Sequence, residues 1–182
     1  MSTSDKLVVQ KEVREWARKM HYNGAVVIDT EATGGAFQDE VFEIAVVRLV
    51  DNKVLFDQLF EPERPISWYS TKVHGLITKD LKGLPKFTDY WNELYNLLDN
   101  VPVLAFNSLF DKRVLQQTCE RYSLKNPNAF YECIMKMYGK FVGRRAGLSL
   151  AAVCEELQIP GGTHRAKEDA IAAAGIVQKL AL

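Results

Sequence analysis

A chain of 182 residues with 47% hydrophobic and 25% charged residues can build one substantial core, which excludes wholesale disorder. Its 23 Lys and Arg balance 23 Asp and Glu, so a purely electrostatic nucleic-acid coat is excluded, whereas a locally basic channel is not. There is no apolar run of the roughly 18 residues a membrane span needs, no secretory h-region, and no disulfide or zinc spacing among Cys119, Cys133 and Cys154; a cytoplasmic protein is expected.

The first segment, about 5–20, carries Val8, Val9, Val13, Trp16, Ala17 and Met20 at mixed three- and four-residue spacing. This is the pattern of an amphipathic helix, with Ser4 or Asp5 as its cap. Residues 1–22 are therefore read as a helix packed on or beside a core domain of residues 23–182. Asn23-Gly24 breaks the helix, and the run Ala25-Val26-Val27-Ile28 has the composition of a central strand that ends in Asp29-Thr30-Glu31. Two further strands, 41–50 and 53–60, joined at Asp51-Asn52, complete an antiparallel meander. Short helices and loops are expected over 66–84, and a helix follows from Pro85. Val103-Leu104-Ala105-Phe106 reads as a second buried strand followed by a helix containing Val114, Leu115 and Cys119. A fifth strand is expected at 130–134, a helix at 149–158 capped by Ser149, and an alanine-rich helix over 165–180. A meander followed by alternating strands and helices is a mixed α/β layer fold.

Four acids and one histidine carry the chemical signal. Asp29 and Glu31 are two apart at a strand end, so both carboxylates leave the same face. Two like charges beside an apolar strand are costly unless a cation neutralises them. Asp111 falls in the first turn of the helix after the second buried strand, where an acid also suits the helix dipole. His164 and Asp169 fall at the start of the last helix. Each feature alone has an ordinary structural explanation.

Together they form a pattern. Asp29-Thr30-Glu31-Ala32-Thr33-Gly34, Asn107-Ser108-Leu109-Phe110-Asp111 and His164-Arg165-Ala166-Lys167-Glu168-Asp169 resemble the three motifs of the DEDDh (DnaQ-like) 3′→5′ exonuclease family. That family includes the proofreading epsilon subunit of bacterial DNA polymerase III, ribonuclease T and the three-prime repair exonucleases. Val73-His74-Gly75-Leu76 resembles its accessory element. The resemblance spans about 24–180 and implies a ribonuclease H-like fold, with a mixed five-stranded sheet (three antiparallel strands plus two parallel ones) flanked by helices. It also implies two-metal hydrolysis of DNA or RNA from single-stranded 3′ ends, without a membrane and with a polymerase or repair complex as a possible partner. Oxygen ligands without cysteines suit Mg²⁺, with Mn²⁺ substituting. By position, Asp29, Glu31 and Asp169 would hold the ion that activates water and Asp29 would bridge to a second. Asp111 would act mainly through water, and His164 would be the general base. Removing Asp29 or Asp169 is expected to abolish hydrolysis and leave the fold intact.

For the substrate, the resemblance points to Thr30, Thr33 and Gly34 around the terminal nucleotide, with His74 in the same pocket and Asn107 beside the second motif. Phe110 is read either as a base-stacking ring or as a core aromatic. Lys136, Lys140, Arg144 and Arg145 form a basic cluster, read equally as a phosphate contact near the cleft or as a solvated helix face. Glu168, Asp39 and Glu40 are read as surface charges. After Gly34 the family usually has Leu or Met as an apolar wedge; here Gly35-Ala36-Phe37 stands there, so either Phe37 replaces the wedge from two residues further on or the wedge is missing, and processivity is left open. Two other readings stay open: a subunit serving a polymerase, and a catalytically idle binding module on the same fold.

Overall fold

A Val/Ile-rich strand apolar on both sides needs cover on both faces, and the computed structural model, which describes residues 3–146 and 148–182, provides it. Strands β1 (Val26–Ala32), β2 (Val41–Arg48), β3 (Val54–Leu59), β4 (Pro102–Ala105) and β5 (Phe130–Cys133) make one sheet in the order β3-β2-β1-β4-β5. The first three pair antiparallel; β4 runs parallel to β1, and β5 parallel to β4. This is the mixed five-stranded sheet expected.

The helices are α1 (Thr3–Tyr22), α2 (Trp68–His74), α3 (Phe87–Leu98), α4 (Ser108–Arg121), α5 (Ile134–Val142), α6 (Leu150–Leu157) and α7 (Ala166–Ala181), with a 3-10 turn at Thr78–Leu81. Strand parity sorts the side chains into two cores. Val27, Ala45, Val47 and Leu104 pack with Val13, Ala17 and Met20 of α1, Tyr138 of α5 and Ile176 and Val177 of α7. Val26, Ile28, Ile44, Val46 and Val103 pack with Trp91 and Leu94 of α3 and Val114 and Leu115 of α4. Odd positions of β1 therefore face α7, and even positions face α4. Cys119, Cys133 and Cys154 are buried and unpaired.

Several local expectations are corrected. Ser4 and Asp5 lie inside the first turn of α1 instead of capping it. Pro85 precedes α3, whose start is closed by Asp89 accepting from the Lys86 N–H at 2.8 Å. Lys136 and Lys140 belong to α5, a helix the sequence reading did not resolve. Asp39 and Glu40 are not surface charges. Asp39 accepts from the Thr33 hydroxyl and the Ala36 N–H, while Glu40, 1% exposed, accepts from the Arg64 N–H and the Tyr122 hydroxyl. Both acids fasten the loop between β1 and β2, and Gly34 is required there because a Cβ would lie 2.5 Å from the Asp39 carboxylate.

Candidate active site

Beyond the carboxyl ends of the parallel pair β1 and β4, the chain leaves in opposite directions, toward β2 and toward β5. Such a divergence opens a crevice. Here it is a cleft of about 590 Å³ lined by Asp29, Thr30 and Glu31 of β1, Asn107, Phe110 and Asp111 at the start of α4, and His164 and Asp169 at the start of α7. Tyr69, Val73 and His74 of α2 complete its wall. The five chemical candidates are therefore brought together from three separated stretches of chain.

Parity explains the arrangement. Asp29 and Glu31 share the face of Val27 and look toward α7, where Asp169 is. Thr30 looks the other way and donates its hydroxyl proton to Asp111 Oδ1 at 2.8 Å. Asp169 is tethered by the loop before it: the N–H groups of Gly162, Thr163 and His164 donate to its carboxylate at 3.1, 2.8 and 3.1 Å. Gly162 has φ 79° and a Cβ there would meet Ala151, so this loop needs glycine. His164 is also left-handed at φ 55°, a conformation that costs a non-glycine residue about 1 kcal/mol. Its imidazole comes within 4.8 Å of carboxylate oxygens of Glu31 and Asp169, beside the acids that could hold an ion.

The electrostatics favour a cation. Burial, followed by repulsion from Asp111, Glu31, Asp169 and Glu43, holds the Asp29 carboxyl well above its ordinary range. Burial and the neighbouring acids, Glu43 foremost, push Glu31 up to about 8, against a smaller opposing pull from Arg165. Burial raises Asp111 to about 7 although the Thr30 hydrogen bond favours its ionised form. Converging carboxylates that resist ionisation, all with oxygen donors, fit a divalent ion; when bound, it would offset the burial cost that raises all three and the repulsion that adds to it at Asp29 and Glu31.

Other assignments change. Thr33 is fully buried and its hydroxyl is engaged with Asp39 and the Glu40 N–H, so it is a loop fastener and not a pocket group. Gly34 and Gly35 do line the cleft. Phe37, 85% exposed, lines a separate hollow with Arg64 and Arg121, so no wedge comes from it in this placement. Lys136, Lys140, Arg144 and Arg145 line another hollow against Val9 and Glu12 of α1, away from the cleft lining, and Arg144 pairs with Glu156 at 2.5 Å. Phe110 is half-buried: it lines the cleft and also packs on the α3/α4 core. His74 is buried, with Nδ1 accepting from the Leu76 N–H at 3.1 Å. Its neutral ring therefore carries the proton on Nε2, which has no partner among the described residues.

Two groups escaped the sequence reading. Glu43 stands directly opposite Glu31 on β2, is nearly sealed from solvent, and grips Arg165 through Nε at 3.1 Å and Nη2 at 3.0 Å. That pair clamps the start of α7 onto the sheet next to His164. Tyr69 was also missed, although two adjacent aromatics ahead of Val73-His74 were a visible signal.

Residues 26–177 match the RNase T exonuclease family. An exonuclease of Escherichia phage 186 is 27% identical over 96% of both chains. PolC-type DNA polymerase III of Thermotoga petrophila is 29% identical over 80% of this chain, which spans only 11% of that polymerase. Among solved structures, exonuclease X in complex with 5′ overhanging duplex DNA superposes with TM-score 0.66 at 24% identity, covering 86% of this chain and 90% of that one. The nuclease domain of 3′hExo, a DEDDh member bound to rAMP, superposes with TM-score 0.68 at 22% identity over 87% and 92%. No helix among the described residues is long and apolar enough to cross a membrane. With a family match that covers most of the chain and a ribonuclease H-like sheet that gathers all three motifs into one cleft, this protein belongs to the DEDDh, DnaQ-like exonucleases of the RNase T family.

Proposed function

We propose that this exonuclease removes nucleoside 5′-monophosphates from the 3′ end of single-stranded nucleic acid, DNA in preference to RNA, with two Mg²⁺ ions for which Mn²⁺ substitutes. One observation carries the proposal: Asp29, Glu31, Asp111 and Asp169 converge with His164 in one cleft, where burial raises Asp29, Glu31 and Asp111 and repulsion from neighbouring acids adds to it at Asp29 and Glu31. A binding module without chemistry gains nothing from such strain. When bound, the ions supply Lewis acidity and orient the attacking and leaving oxygens. Asp29, Glu31 and Asp169 are the residues to hold one ion, with Asp29 shared toward the second and Asp111 acting through water.

His164, exposed beside Glu31 and Asp169, takes the proton of the attacking water on an imidazole nitrogen. Gly34, His74, Asn107 and Phe110 bound the pocket of the terminal nucleotide. The buried, unpaired cysteines support a cytoplasmic location. Likeness to PolC-type polymerase supports a second reading, service to a polymerase, which concerns the partner and not the reaction.

The test is digestion of 5′-labelled single-stranded DNA and RNA with Mg²⁺, Mn²⁺ or chelator. A ladder shortening from the 3′ end, release of 5′-monophosphates and silence in chelator are expected. Efficient cutting of a circular single strand would show an endonuclease and overturn the reading.

A further inference from the structure

The wall of the cleft formed by α2 has an apolar surface that the fold leaves uncovered. Trp68, Tyr69 and Val73 are 62%, 77% and 52% exposed. Helix α2 is nevertheless well defined: Ser67 caps it by accepting from the Ser70 N–H, and Gly75 closes it in the left-handed conformation. Tyr69 and Val73, one helical turn apart, line the cleft itself. Trp68 stands just outside it, edge-on to Tyr69 with ring centroids 5.0 Å apart. Lys72 lies over the Trp68 ring, its Nζ 3.8 Å from the centroid. The α4 wall repeats the pairing, with the Arg113 guanidinium 5.6 Å from the centroid of Phe110.

An exposed aromatic with a cation over one face matches unpaired nucleotides: the ring's other face is offered to a base and the cation meets the neighbouring phosphate. The surface is continuous with the cleft of acids, so an occupant of the cleft reaches it without any movement of the fold. A protein seated there would close the cleft. A duplex fits poorly, because its bases already stack on each other.

Resting on the exonuclease reading above, we propose that Tyr69 and Trp68, with Lys72, form a stacking platform for the unpaired bases that trail from the cleft, and that this platform confers a grip on single-stranded 3′ tails. Tyr69, inside the cleft, meets the nearer base and Trp68 the next one out.

The test compares wild type with Tyr69→Ala, Trp68→Ala, the double variant and Tyr69→Phe. All are exposed positions, where substitution spares the core. Two substrates are used: 5′-labelled oligothymidylate, and the p-nitrophenyl ester of thymidine 5′-monophosphate, which has no trailing base. The double variant is expected to raise KM for the oligonucleotide about tenfold more than for the ester, and Tyr69→Phe is expected to behave as wild type. Equal losses on both substrates, or an unchanged KM, overturn the platform.

Fluorescence anisotropy of labelled oligothymidylate without added metal tests the grip apart from the chemistry. About tenfold weaker binding by the double variant supports the platform even if wild type hydrolyses nothing, an outcome that would sink only the exonuclease reading. Wild-type affinity in the double variant sinks the platform even if hydrolysis is normal.

Discussion

The acids borne by the strand and those borne by the helices are held in place by different means. Asp29 and Glu31 leave the central strand just past its last pairs with β4, at Val26 and Val27, where β2 still pairs with both, and no described residue donates a hydrogen bond to either carboxylate. Asp111 and Asp169 stand near helix starts, and both are tethered: Asp111 by the Thr30 hydroxyl, Asp169 by three backbone N–H groups. A central strand is stiff enough to aim a side chain without help, so its acids keep all their lone pairs for a cation. A helix start reached through a loop with two left-handed residues, Gly162 and His164, is not stiff, and there the carboxylate is part of the fold as well as of the site. The two pairs should therefore respond differently when removed.

The largest effect is expected for Asp29→Ala and Asp169→Ala. Hydrolysis should fall about a thousandfold or more in either, since a metal contributes several kcal/mol of transition-state stabilisation. Their melting temperatures should part. In chelator Asp29→Ala should melt at or above wild type, because a buried, repelled acid has gone. Asp169→Ala should be destabilised by about 3 kcal/mol, since the donors of its loop lose a charged partner. Calorimetric scans of both variants check this, and equal destabilisation would erase the distinction. The expectation from sequence that both removals spare the fold is thus kept for one and withdrawn for the other.

His164→Ala comes next. The residue is exposed and belongs to the tethered loop through its backbone N–H, which alanine retains. Turnover should drop about a hundredfold to a thousandfold while metal binding and melting temperature are kept. Titration calorimetry with Mn²⁺ and a single-turnover assay on one preparation separate the cases. Preserved turnover would remove His164 from the mechanism and leave it as a loop residue.

What the sequence disclosed follows the same division. The strand pair was legible because a period of two is local: Asp29 and Glu31 share a face wherever the strand lies. The helix-side acids were legible only as members of a family pattern, since nothing local brings positions 111 and 169 to position 29. Thr33 was placed at the pocket by the motif resemblance alone, which does not carry the local backbone. Pairing shifts register between Glu31 and Ala32, and the loop turns the hydroxyl onto Asp39. Glu43 was invisible because its place opposite Glu31 depends on the register of a hairpin, and its partner Arg165 is 122 residues away. Lys136 and Lys140 looked like a charge cluster because their apolar neighbours, Ile134 and Tyr138, find their core only when α1 and α7 close over α5.

Acidity provides a smaller and continuous measure of the strand pair. Glu31 at about 8, Asp111 at about 7 and a raised Asp29 all titrate above their unfolded range, so between roughly pH 4.5 and 8 the folded protein binds more protons than the unfolded chain. The stability these groups contribute is fully present below the unfolded carboxylate range and is lost progressively as pH rises from there to about 8, where the folded groups ionise. In chelator the melting temperature should fall by about 5 °C or more over that interval. Saturating Mg²⁺ should flatten the decline, because the ionised carboxylates are then neutralised, and Glu31→Gln should lessen it without metal. A flat profile in chelator would show that the strand acids are not strained.

The smallest effect is expected where the two pairs meet. Thr30 belongs to the strand of Asp29 and Glu31 but faces the other way, and its buried hydroxyl holds Asp111 Oδ1 at 2.8 Å. Thr30→Val keeps the shape and the β-branch and removes only this donor. The lost hydrogen bond should cost about 1 kcal/mol of stability. The freed carboxylate should also wander, which lowers metal affinity by about tenfold, in line with the loss of a group that orients a metal ligand. Thr30→Ser should restore both quantities, because the hydroxyl is what acts and the methyl is not. Measured as the Mn²⁺ concentration at half-maximal activity, an unchanged midpoint in Thr30→Val would mean that α4 aims Asp111 as firmly as β1 aims Asp29. The tether would then be a feature of Asp169 alone, set by the open loop before α7 and not by helices in general.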